Sequence, residues 1–286
     1  MRSTKLDLRQ LASLAGVLAS LAGCNLSRPD GALVVCHNSN CAEPADPQHD
    51  DTIDGLRESL ALELDGRPVI DGLEIDTFWR ASDSVCLFAH DLDNDQTPAN
   101  APADEVAAYF ARQGPISHGE APFRIIIELK SHVSADTTDL HTSDELVLHA
   151  ACAWQVYKTI ADAAVANGRD VVVMFEAFRP ALLQAMIDQT PTTPVPVQYS
   201  AVQGIPHPLD NQTRPLSEYN GLPISFVEFH AQWILDAQYE AAVSMGAQIA
   251  VFMFSATAET FSVIEQYEPA LIVTSEARLM RRWLDR

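Results

Sequence analysis

Residues 72–91 read GLEIDTFWRASDSVCLFAHD. Glu74 and Asp76 alternate with Leu73, Ile75 and Thr77, so an extended backbone, whose side chains alternate with a period of two, puts both carboxylates on one face. Two acids so placed offer hard oxygen ligands to one cation. After a polar turn, residues 85–89 run back as a second apolar segment and return His90-Asp91 towards the acids. Similar polar punctuation recurs elsewhere: His37 follows the apolar run 32–36, and Glu128-x-Lys130 lies at the end of the run 123–129.

Further apolar runs occupy 170–175, 195–199, 224–229, 248–254 and 270–274, so that with 72–77 there are eight. Their hydrophobicity is continuous rather than alternating, which marks strands covered on both faces and therefore a parallel sheet. The run 195–199 lies between prolines and is the weakest of them. Helical signals separate nearly all of them. Ile53, Leu56 and Leu60 share one face of a helix expected over 52–64, and another is expected around 104–112. Thr142-x-x-Glu145 has the form of a capping box opening a long helix that stops at Gly168, and Pro180 suits the first turn of the next. Three more helices should end near Met245, Tyr267 and Leu284. Strand–helix units in this number predict an α/β fold, a (β/α)8 TIM barrel, with its site at the C-terminal ends of the strands. His37, Glu74, Asp76, Glu128, Glu176 and Glu228 all fall at or near such ends. A doubly wound open sheet is the alternative, but no glycine-rich phosphate loop accompanies it.

The chain has 286 residues, 47% of them hydrophobic and 20% charged, which suffices for a single core without a second domain. Arg2, Lys5 and Arg9 precede an apolar run over 11–22 that is too short to span a bilayer and has the flank of a secretory signal. The run ends Leu21-Ala22-Gly23-Cys24, which resembles a bacterial lipobox. The expected organisation is a signal peptide over 1–23, an acylated tether over 24–31 starting at Cys24, and the barrel over 32–286. Acyl chains on Cys24 would hold the protein to the cell envelope, facing the periplasm or exterior, and Asn25 after it points to the outer membrane. The formal charge is −21, and loss of 1–23 removes three bases and one acid, giving −21 − 2 = −23. Such a surface excludes nucleic acid as a partner. Cys36, Cys41, Cys86 and Cys152 remain, in a compartment that permits disulfides, and the sequence leaves their three pairings open. A monomer is expected.

A histidine after the first strand, Glu74-x-Asp76 after the second, His90-Asp91 sixteen residues on (90 − 74 = 16) and Glu128-x-Lys130 on the third together resemble the phospholipase C-like phosphodiesterases. The order is similar to that of the glycerophosphodiester phosphodiesterase branch, as is the closing QIAVFMFSATAETFSVIEQYEPALIVTSEARL of 248–279. Residues 131–220 carry no matching motif. Two departures stand out. His37 is followed by Asn38-Ser39-Asn40 where that branch has Arg-Gly, and Phe252-Met253-Phe254-Ser255 replaces an aromatic-Thr motif. His-Asn is similar to the phosphoinositide phospholipase C branch, and that likeness implies Asn38 as a metal ligand.

The residues themselves suggest a chemistry. Glu74, Asp76 and Glu128 form an all-oxygen set that favours one divalent cation, Ca2+ or Mg2+, over Zn2+. Lys130 would add positive charge at a developing oxyanion, and His37 and His90 would be the acid–base pair. The resemblance implies attack on phosphorus by a hydroxyl adjacent to the phosphate, with one histidine taking its proton and the other protonating the leaving alkoxide. Which histidine is the base stays open. Glu176, Glu228 and His230 are candidate substrate contacts and Trp79 a candidate pocket wall, whereas His118, His132, His141, His149 and His207 read as loop or helix-surface residues. The expected function is hydrolysis of glycerophosphodiesters or related (lyso)phospholipid headgroups, with a phosphodiester or phospholipid as the partner. A phosphoinositide-type phospholipase C is the alternative enzyme, and a non-catalytic barrel-fold binding lipoprotein the alternative of another class.

Overall fold

Runs of apolar residues that can be buried on both faces become strands, and the computed structural model of the chain shows them so. It describes residues 31–42, 46–89, 97–130, 142–189, 192–204 and 213–286. The barrel strands are β1 (Leu33–Cys36), β2 (Gly72–Arg80), β3 (Phe123–Lys130), β4 (Val171–Ala177), β5 (Val197–Gln203), β6 (Phe226–His230), β7 (Gln248–Met253) and β8 (Leu271–Thr274), and the segments Val85–Phe88 and Thr97–Pro98 extend the sheet antiparallel beside β2. Each barrel strand pairs in parallel with the next, and β1 pairs with both β8 and β2, which closes the sheet. Outside lie α1 (Ile53–Leu60), α2 (Asn100–Phe110), α3 (Ser143–Ala166), α4 (Pro180–Gln189), α5 (Asp236–Ser244), α6 (Ala258–Tyr267) and α7 (Ala277–Leu284). The chain is thus the expected (β/α)8 barrel. Between β5 and β6 the described residues contribute a single 3-10 turn, Leu216–Tyr219.

Alternation divides every strand. Val34, Ile75, Ile127, Phe175 and Val251 pack outward beneath the helices, while Val35, Ile126, Met174, Phe226, Ala250 and Val273 form a separate apolar cluster that fills the barrel interior. Residues one or two pleats further along the inner face therefore stand above an apolar floor. Close contact between β2 and β3 starts at Gly72, where a Cβ would lie 2.4 Å from the Arg124 carbonyl oxygen. Only glycine fits there without moving backbone.

Boundaries shift where local chemistry intervenes. The strand expected over 195–199 starts two residues later, because Pro194 and Pro196 have no N–H to give to a ladder, and it continues through the weakly apolar SAVQ to Gln203. The helix expected over 52–64 stops at Leu60. Asp65 and Gly66, at φ of 52° and 76°, turn the chain into a small hairpin pairing Glu63–Leu64 with Arg67–Pro68, the geometry that an Asp-Gly pair favours. At α3 the capping box forms, with Thr142 and Glu145 each bonding the other's backbone N–H. Disulfides join Cys36 to Cys41 and Cys86 to Cys152, so the first encloses His37 to Asn40 and the second ties the segment returning from β2 to α3.

Candidate active site

Strand register brings the acids together. Asp76 pairs with Glu128 across β2 and β3, and Glu128 with Glu176 across β3 and β4. Glu74, Asp76 and Glu128 each offer a carboxylate oxygen within 4.8 Å of the others, and all are buried. The Lys130 Nζ lies 3.0 Å from Asp76 Oδ2 and 2.6 Å from Glu128 Oε2. His37 follows β1 with Nε2 4.0 Å from Glu74 Oε2 and Nδ1 3.3 Å from Ser275 Oγ. The turn after it places Asn38 and Ser39 at φ of 47° and 54°, and the Asn38 N–H donates to Glu74 Oε2 at 2.9 Å.

One ammonium, that of Lys130, stands among these three buried carboxyls. Burial pushes the Glu74 and Asp76 carboxyls well above the usual carboxylate range, attraction to Lys130 opposes this, and repulsion from neighbouring acids adds to it. Burial would pull the Lys130 ammonium down, but Asp76, then Glu128 and Glu74, outweigh it and raise it well above its ordinary value. Asn38 Oδ1, Asp76 Oδ1 and Glu128 Oε1 are buried acceptors that meet no donor. Orphaned acceptors are costly in a low-dielectric interior, and hard oxygens gathered in this way suit Ca2+ or Mg2+.

Glu176 and Glu228 face the same interior, on β4 and β6, beyond the trio. Burial, then the Glu228 charge, raises Glu176 well above the carboxylate range, and burial raises Glu228 to about 7 although its bond to Glu176 works the other way. Above them an aromatic wall forms: the His230 ring lies 3.9 Å from that of Trp233 and 4.8 Å from that of Phe252, and Phe254 lies 5.0 Å from His37. Burial lowers His230 to about 4, and its Nδ1 accepts the Gln232 N–H at 3.2 Å, so the ring is neutral.

Two sequence expectations change here, and one residue is added. Trp79 does not join the site: it pairs with Cys86, whose disulfide goes to α3, so it stands on the helix-facing side of β2, opposite Glu74 and Asp76. An odd offset from the acids dictates that face. His149 is not a surface residue; it is fully buried on α3, with Nε2 3.0 Å from the Thr77 carbonyl oxygen and 3.2 Å from Thr77 Oγ1. Its four-residue spacing from Ala153 puts it on the helix stripe that packs on the barrel. Asp51, absent from the sequence reading, lies beside Asp76, buried, at φ of 53°. His90, Cys24, His132, His141 and His207 lie outside the described residues.

Neither a protein-family model nor a curated protein sequence matches the chain. Solved structures do share its architecture. A glycerophosphodiester phosphodiesterase from Parabacteroides distasonis is 16% identical with a TM-score of 0.55, over 90% of this chain and 99% of that one. An Oleispira antarctica phosphodiesterase in complex with the product sn-glycerol-3-phosphate is 13% identical with a TM-score of 0.56, over 91% of this chain and 98% of that one. A Silicibacter pomeroyi protein assigned as a glycerophosphoryl diester phosphodiesterase is 15% identical with a TM-score of 0.59, over 91% and 95%. At these identities the likeness is one of fold.

Proposed function

We propose that this chain is a metal-dependent phosphodiesterase of the phospholipase C-like kind, hydrolysing glycerophosphodiesters or related (lyso)phospholipid headgroups by histidine acid–base catalysis. The observation that carries the reading is the buried trio Glu74, Asp76 and Glu128, with Lys130 and His37 against it, at the C-terminal mouth of the barrel. Glu74, Asp76 and Glu128, with the Asn38 amide oxygen, would hold the cation, which when bound neutralises a phosphodiester and polarises its P–O bonds. Lys130 is kept protonated by the acids around it and supplies a fixed positive charge to the developing phosphorane oxygens. His37, with Nδ1 3.3 Å from Ser275 Oγ and Nε2 4.0 Å from Glu74 Oε2, would exchange a proton with the substrate. His90 is the proposed second member of the pair. The Glu176–Glu228 pair and His230 line the wall where the alcohol portion of a substrate would lie.

The fold shared with phosphodiesterases, one of them holding sn-glycerol-3-phosphate, supports the same reading. The Asn38 Oδ1, an acceptor without a donor, favours a phosphoinositide-type phospholipase C as the second reading, since that branch has the His-Asn pair. Anchoring to the envelope through acylated Cys24 belongs to the proposal as well.

The test is an assay of full-length protein, stripped of metal, on glycerophosphocholine, lysophosphatidylcholine and phosphatidylinositol, with Ca2+ or Mg2+ restored. Cleavage should require metal, and His37→Ala should lower turnover by at least ~10²-fold with unchanged circular dichroism. Equal turnover in the variant removes His37 from the mechanism. If no substrate is cleaved with either ion, the activity itself is refuted.

A further inference from the structure

Four rings meet where the C-terminal ends of β6 and β7 reach the barrel mouth. His230 and Phe252 are partners in register across the two strands, and Phe252 packs on the apolar cluster inside the barrel, so both stand on the inner face. The His230 ring lies 3.9 Å from that of Trp233, 4.8 Å from Phe252 and 5.7 Å from Phe254, and Phe252 and Phe254 meet nearly at right angles, 6.3 Å apart. This wall starts beside the candidate catalytic histidine, because Phe254 lies 5.0 Å and Phe252 6.1 Å from the His37 ring. Its outer members stay open: Phe254 is 55% exposed and Trp233 36%. Large rings left against water at the rim of a site mark a binding surface.

Charge decides what that surface receives. Between Arg214 and Arg278, the stretch that holds β6, β7 and β8, the sequence has eight acids and no lysine or arginine. His230 brings no charge of its own, since its Nδ1 accepts the Gln232 N–H at 3.2 Å. The face of an aromatic ring attracts a cation, that of tryptophan most strongly, and with no basic side chain in the stretch the attraction acts unopposed. The alkyl groups of a quaternary ammonium need no hydrogen-bond partners, so it suits such rings better than a polyol does. Apart from the bonded Nδ1, the four rings carry only the indole N–H and one imidazole nitrogen as polar atoms, and the hydroxyls of a polyol would go unpaired against them.

We propose that Trp233, Phe252 and Phe254, with His230 between them, form a subsite for the quaternary ammonium of a choline-type alcohol, so that the substrate is a phosphodiester of choline. This rests on the phosphodiesterase reading given above. The experiment compares the full-length protein, supplied with Ca2+ or Mg2+, on glycerophosphocholine and on its neutral isostere, in which carbon replaces the ammonium nitrogen. Wild type should cleave the cationic substrate with a kcat/KM ~5–30-fold above that of the isostere, and Trp233→Leu and Phe254→Leu should each shrink the ratio through KM on the choline ester. Equal kcat/KM on the two substrates in wild type, or a ratio unchanged in both variants, overturns the proposal and leaves the rings a plain apolar surface. Lysophosphatidylcholine run in parallel distinguishes a lipid headgroup from a soluble diester as the source of the choline, by which of the two is cleaved faster. Binding is read apart from turnover by NMR: tetramethylammonium should shift the one indole N–H resonance that Trp233→Leu lacks, and an unmoved resonance overturns the proposal. If the resonance moves while no substrate is cleaved, the phosphodiesterase reading fails and the cation subsite stands. Should Trp233→Leu fail to fold, the wild-type ratio and Phe254→Leu decide.

Discussion

Lys130 bridges two strands, reaching Asp76 of β2 and Glu128 of β3 from a position that is itself buried. Removing one member of such a buried group strands the others. Lys130→Met in metal-free protein should therefore cost on the order of 3–5 kcal/mol, read as a lower urea midpoint, with Ca2+ restoring part of the loss. An unchanged midpoint would mean that the acids are already neutral without it. His230 makes a pH-dependent contribution. Its folded pKa of about 4 lies below the ordinary histidine value of 6.5, so its stabilisation is complete above pH ~6.5 and is lost as pH falls towards 4, because the unfolded chain binds the proton more readily. His230→Phe should flatten that loss, so that the wild type falls relative to the variant as pH drops through the window; parallel stability curves would sink the assignment. At this scale the sequence was readable wherever residues share a strand. Parity alone joins Glu74 with Asp76 and Glu128 with Lys130, and the same parity, properly applied, excludes Trp79. Asp51 was not readable, because a loop has no period and its direction depends on a positive φ and a contact with Asn38.

Elements were legible in proportion to their hydrophobic contrast. β3, with FRIIIELK, and α3, with its capping box, lie close to where composition puts them, while β5 slid past Pro196 into residues whose apolar character is slight. Long-range ties between elements left no mark in the sequence. Asp71, just before β2, is buried and accepts N–H groups from Val34 of β1 at 3.0 Å, His118 at 3.1 Å and Gly119 at 3.2 Å. It is also bonded by Arg281 of α7, whose Nε donates to the Val69 carbonyl. One carboxylate thus secures the last helix to the strand pair at which the barrel closes. Arg281→Met should cost ~3 kcal/mol, because the buried charge of Asp71 loses its counterion while keeping only neutral donors. The loss should appear as a reduced urea midpoint with an unchanged slope. A change below ~0.5 kcal/mol would show that the backbone donors alone hold Asp71.

Across the whole molecule, the barrel's direction decides which substrates an anchored protein can meet. The site stands at the C-terminal ends of the strands, whereas β1 starts at Leu33 on the opposite end. From Cys24 to Leu33 is 33 − 24 = 9 residues, which span at most ~30 Å when extended. Size scaling gives a domain of this length a radius of gyration of about 18 Å, and so a body roughly 45 Å across. A lipid on Cys24 would then hold the base of the barrel near the membrane and point its mouth away. That arrangement favours soluble glycerophosphodiesters, released by deacylation of phospholipids, over headgroups still embedded in the same leaflet. The full chain should incorporate labelled palmitate and fractionate with membranes. Cys24→Ser should lose both properties yet keep its kcat/KM on glycerophosphocholine within ~2-fold, because acyl chains at the far end touch neither the cluster nor His37. A variant that still partitions with membranes refutes the anchor. If the variant is released but loses activity on a soluble substrate, the anchor and the site are coupled, and the mouth cannot face away as its distance from β1's start implies.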